Sequence, residues 1–96
     1  MKMVMIVYNE AIEEMVMEIM VKCGLKNYTK IAGVYGKGTS SGTHLGNDIW
    51  PGRNNLLYVA CEEKEKNEMV CCIKELRKRF GYEGVKAFVL PVEEIT

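Results

Sequence analysis

Met3 to Tyr8 is an unbroken apolar run stopped by Asn9, the pattern of a strand buried on both faces or paired on both edges. Asn9 is a good helix N-cap, and Ile12, Met15, Val16, Ile19, Met20 and Cys23 then recur at helical spacing among Glu10, Glu13, Glu14 and Glu18. The acids crowd the start of this helix, where its dipole favours them, while Lys22 and Gly24 mark its end. From Tyr28 to Val34, Thr29 and Lys30 mix with Ile31 and Val34, a weaker strand pattern suited to a sheet edge or a wet face. Leu56 to Cys61 repeats the fully apolar character of the first strand. A second helix is predicted next, with Met69, Cys72, Ile73, Leu76 and Phe80 on one stripe, charged residues on the other face and Gly81 at its end. Val85 to Leu90, stopped by Pro91, predicts a fourth strand.

The order is therefore βαββαβ. Two βαβ units with right-handed crossovers place strands one and three in the centre of a four-stranded antiparallel sheet with both helices on one face, an α+β, ferredoxin-like fold. The hydrophobicity agrees, since the two most apolar strands are the two that the topology makes central. Helices on one face leave the other bare, and a chain of 96 residues that exposes an apolar sheet face is expected to self-associate over it. Tyr28, Tyr35, Tyr58 and alternate strand positions are the expected lining of that interface.

With 48% apolar residues the chain has enough for one core and is too short for two typical domains, so residues 1–96 are expected to form a single domain. Thirteen Lys and Arg balance thirteen Asp and Glu, leaving no overall field to draw the chain to nucleic acid or an acidic membrane. The longest apolar runs fall far short of the roughly 20 residues that span a bilayer. Glu10, Glu13 and Glu14 interrupt what a secretory signal would need, so the cytoplasm is the expected compartment. Cys23, Cys61, Cys71 and Cys72 match neither C-x-x-C nor zinc-knuckle spacing and read as reduced core or interface residues.

What the two-layer pattern does not absorb is the stretch from Gly36 to Asn55, which holds five of the nine glycines. Hairpin connections take about two to five residues, and longer loops are commonly functional. Glycines let backbone amides approach an anion; Thr39, Ser40, Ser41 and Thr43 add hydroxyl donors, and Lys37 and Arg53 add positive charge. The spacing is not that of a Walker motif, and a plain hairpin extension is the competing reading. His44 is the single histidine, with Asp48 four residues on. Two ligands do not complete a zinc site, so the pair are weak metal candidates and His44 reads first as a polar loop residue. No nucleophile is tied to His44 by any sequence pattern, and no catalytic set emerges. Trp50, before Pro51 and Gly52, packs on something: its own domain, a subunit, a ligand ring or a partner.

The βαββαβ order, with a long loop entered through Val34-x-Gly36-x-Gly38-x-x-x-Gly42, resembles the PII signal-transduction family over nearly the whole chain. The resemblance implies a non-enzymatic homotrimer whose lateral clefts bind adenine nucleotides or other small anions, and whose long loop controls a partner protein. Gly36, Lys37, Gly38, Thr39, Ser40, Gly42 and Arg53 are the expected ligand-facing residues, with His44 and Trp50 in the contact segment. Several departures imply a divergent member. Ser40 stands where the family keeps glutamine, the loop lacks a tyrosine for nucleotidylation, and Gly81-Tyr82-Glu83-Gly84 is shorter than the family's phosphate loop. The chain also reaches Thr96 without the family's basic C-terminal segment, so nucleotide binding in the family's usual manner is not expected. The trimeric CutA family, with a divalent-metal role, is the second resemblance.

Overall fold

Strict alternation in the two central strands sets the layers. In β1 (Lys2–Asn9) Val4, Ile6 and Tyr8 point to one side and are fully buried, as are Leu57 and Val59 in β3 (Asn54–Cys61). Against them pack Val16, Ile19 and Met20 of α1 (Glu13–Lys22) and Met69, Ile73 and Leu76 of α2 (Glu63–Phe80). The computed structural model describes residues 1–36, 53–80 and 84–96; Gly81 and the side chain of Phe80 lie outside them. Two edge strands, β2 (Thr29–Val34) and β4 (Val85–Pro91), complete a sheet of order β2-β3-β1-β4. Every pairing is antiparallel, so β1 and β3 are central as the hydrophobic pattern requires.

The helix ends follow local chemistry, with one difference from expectation. Asn9 does cap, its Oδ1 accepting the Ala11 amide at 2.9 Å, but what it caps is a 3-10 turn, Glu10–Ile12, and α1 begins only at Glu13. At the other end Gly24, at φ +71°, and Leu25 return their amides to Val21 and Met20 at 3.0 and 2.9 Å, a Schellman closure that needs glycine's left-handed conformation. The start of α2 is held by Glu65, whose carboxylate reaches back to the Glu62 amide at 3.0 Å. Cys23 and Cys61 are buried as expected, whereas Cys71 is exposed, because it lies on the outer side of α2 while Met69 and Ile73 face the sheet.

The register places the opposite set of side chains on the uncovered face. Met3, Met5 and Val7 stand beside Ala60, Tyr58 and Leu56 on one side, and Met3 and Met5 beside Leu90 and Phe88 on the other. Ile31 extends the row into β2. In the protomer Ile31, Phe88 and Leu90 are all more than 40% exposed, a contiguous apolar surface that water does not favour. Of the three tyrosines expected on this face, Tyr58 lies within the ladder, while Tyr28 and Tyr35 flank β2.

Candidate functional site

One end of the sheet gathers the chain's irregular segments. The last β2–β3 pair is Val34 with Asn54, so Gly36 and Arg53 stand at the mouth of the long loop. There the Glu10 amide donates to the Arg53 carbonyl at 3.3 Å, and the neighbouring Asn9 amide donates to the Gly84 carbonyl at 2.9 Å. A single step of backbone at the end of β1 therefore ties down both the return from the long loop and the approach to β4. The Arg77 guanidinium, which donates to the Val85 carbonyl at 3.2 Å, attaches the end of α2 to the same place.

Beneath this junction lies a polar network that no local sequence pattern announces. The Tyr8 hydroxyl donates to Glu13 Oε1, the Asn55 side-chain amide donates to the same oxygen at 3.1 Å, and the Lys30 ammonium donates to Oε2 at 2.6 Å. One carboxylate thus joins β1, α1, β2 and β3. Asn55 is 5% exposed and passes the linkage on, because its Oδ1 accepts the Gly33 amide at 3.3 Å. Gly33 lies in a β-bulge, with Ile31 opposite Leu56 but Val34 opposite Asn54, and its φ of +70° is one that residues with a side chain avoid. The bulge turns β2 as it enters the long loop, and the Asn55 side chain satisfies the amide that it takes out of the ladder.

Electrostatics follow from these contacts. The bond from Lys30 and then that from Tyr8 hold the Glu13 carboxyl below the ordinary range, against the opposing effect of burial. Glu13 is thus an ionised anchor at neutral pH. Burial, reinforced by the bond to Glu13, pushes the Tyr8 phenol well above its ordinary value, so it stays a donor. All three acceptor–donor contacts are internal, and the carboxylate is committed to holding the strands together. Among the described residues no cluster of three or more metal-ligating side chains occurs.

Of the residues expected to face a ligand, Gly36 and Arg53 are described; both are exposed at the loop mouth. Lys37, Gly38, Thr39, Ser40 and Gly42, together with His44, Asp48 and Trp50, lie outside the described residues. Sequence reasoning missed Tyr8, Glu13, Lys30, Gly33 and Asn55. A signal existed for Gly33, since a glycine inside a strand marks a bulge or a close approach.

This architecture can be set against known proteins. A family model described as Nitrogen regulatory protein P-II matches residues 1–96. The chain belongs to the P-II family. Solved structures agree on the fold of this P-II chain. CPII from Thiomonas intermedia, bound to ADP, AMP and acetate, superposes with a TM-score of 0.74 at 16% identity, covering 99% of this chain and 88% of that one. A second CPII structure, bound to ADP, AMP and bicarbonate, gives 0.67 at 20% identity over 92% and 81%. A PII-like signaling protein from Thermus thermophilus gives 0.58 at 24% identity over 92% and 82%. No match was found among curated proteins. Among the described residues of this P-II chain no helix is long and apolar enough to cross a membrane.

Proposed function

We propose that this P-II chain is the protomer of a non-enzymatic homotrimer that senses a small anionic ligand, an adenine nucleotide or bicarbonate, in a cleft at the root of its long loop. The loop between β2 and β3, expected from the sequence to reach Asn55 but ended at Arg53 by the start of β3 at Asn54, carries the signal to a partner protein. The observation that carries this reading is the junction at the end of β1, where adjacent amides of Asn9 and Glu10 hold both Gly84 and Arg53. A ligand that moves either segment there perturbs the other through one backbone step. The apolar open face of the sheet supports assembly, since it needs a cover that the two helices do not supply. The ADP, AMP, acetate and bicarbonate bound by CPII support the ligand class.

Light scattering combined with a thermal-shift series tests the proposal. The expected results are a trimeric mass and stabilisation by ADP, AMP or bicarbonate at millimolar concentration. A monomer removes the clefts and overturns the reading. A trimer stabilised by none of these ligands overturns the ligand class.

A further inference from the structure

The helix layer has an outer side that assembly over the open sheet face leaves free. Along α1 runs an open groove of about 520 Å³, lined by Glu13, Glu14, Met17, Glu18, Val21 and Lys22. Met17 and Val21, four residues apart, make one apolar strip. Val21 is 79% exposed, more than any other large apolar side chain among the described residues. Glu14, Glu18 and Lys22 form the neighbouring row; all three are exposed, and none forms an ion pair among the described residues. We propose that this groove is a homotypic docking surface, at which α1 of one copy of the chain packs antiparallel on α1 of a second copy across a twofold axis.

The order of charge along the groove selects the occupant. Glu14 and Glu18 come first and Lys22 stands at the C-terminal end of α1. A uniformly basic segment would set like charge on Lys22, and a uniformly acidic one would set it on Glu14 and Glu18. The same helix reversed avoids both conflicts. With the axis level with Met20, Glu18 meets Lys22 of the second copy and Lys22 meets its Glu18, the reciprocal pairing that a twofold interface requires. Val21 then lies only about 1.5 Å along the helix from that axis, so the two Val21 side chains meet and leave water together. Ion pairs between exposed groups contribute little and the strip is small, so the contact is weak and forms as concentration rises. It lies on the helix side of the sheet, away from Ile31, Phe88 and Leu90, and therefore pairs two copies of whatever assembly the open face makes. Glu13, at one end of the groove, brings the second copy beside the loop root.

The test is light scattering of the full chain at low salt, from about 10 µM to 1 mM protomer. The parent is expected to double its mass over that range, and about 0.5 M NaCl should move the doubling to higher concentration. Glu18→Lys and Lys22→Glu, both at exposed positions, should each hold the mass at its low-concentration value with circular dichroism unchanged. Combining the two changes restores both opposite-charge pairings and should restore the doubling, whereas Val21→Glu should abolish it. A constant parent mass, which would leave the groove to a different partner, overturns the proposal. So do single-charge variants that double like the parent, or a combined variant that does not double. A constant trimeric mass leaves the sheet-face assembly standing, and doubling from a monomer overturns that assembly alone, so the two readings fail separately.

Discussion

Replacing Glu13 with alanine tests whether one carboxylate organises the loop root. The change strips the acceptor from the Tyr8 hydroxyl and the Asn55 amide. Each buried donor left unpaired costs about 1–3 kcal/mol. The Lys30 pair adds less, since both side chains are 32% exposed and pairs so screened contribute below about 1 kcal/mol. Alanine's better helix propensity returns a few tenths of a kcal/mol. The expected loss is therefore about 3 kcal/mol. Glu13→Gln keeps an acceptor for both buried donors and should lose only about 1 kcal/mol, and Lys30→Met less still. Urea unfolding at pH 7 and fixed protomer concentration measures all three. Near-native stability for Glu13→Ala, or a Lys30→Met loss as large as that of Glu13→Ala, refutes the assignment of the carboxylate as organiser. The pH dependence gives a second check. Glu13 is held below its ordinary value in the fold, and in the unfolded chain it returns to about 4.3. Its contribution is therefore fully present above that value and is lost as pH falls through the lower, folded one. Glu13→Gln should remove that part of the acid limb.

Four further outcomes are expected. Tyr8→Phe should abolish a loss of stability in the parent above about pH 10, since the phenol is raised in the fold and ionises first in the unfolded chain; unfolding at pH 9 and 11 compares the two. Gly33→Ala should cost about 1–2 kcal/mol from its positive φ alone, because an added Cβ meets nothing within 4 Å; an unchanged urea midpoint would show that the bulge relaxes without strain. Phe88→Glu places a charge on the open apolar face, on the edge strand beside Met5, and should reduce the light-scattering mass towards that of a monomer, whereas an intact trimer would place the interface elsewhere. Arg53→Ala should weaken ADP or bicarbonate binding by roughly 10-fold or more in calorimetry, and equal affinity would remove Arg53 from the ligand site.

The layered fold was legible because each of its rules is local. Unbroken apolar runs at Met3–Tyr8 and Leu56–Cys61, a helical stripe through Met69, Ile73 and Leu76, and a glycine at position 24 all act within a few residues. The loop root was not legible, for the complementary reason. Glu13 reads as an acid placed for the helix dipole, yet it meets Lys30 from 17 residues away and Asn55 from 42. Those contacts exist only once the sheet register has set Tyr8 opposite Asn55. Asn9 misled by one turn for a related reason. A capping side chain fixes where the backbone begins to coil and not which coil forms, and here that first coil is a 3-10 turn, Glu10–Ile12, before α1 begins.

The same separation explains how this chain departs from its family's loop motif without giving up the fold. The anchor consists of Tyr8 and Asn9 on β1, Glu13 on α1, Lys30 and Gly33 on β2 and Asn55 on β3, none of which lies between Lys37 and Gly52. Loop-closure entropy grows only slowly with loop length, so the number of residues between the two ends of the loop bears weakly on closing it. Ser40 and the tyrosine-free stretch that follows lie in that interval in sequence, outside the set of anchor residues. Under the function proposed above, ligand and partner contacts would fall there, while the fold is held at the root. Glu13 belongs to both, because the carboxylate that satisfies Tyr8 in the core also fixes, through Asn55, the bulge from which the loop departs.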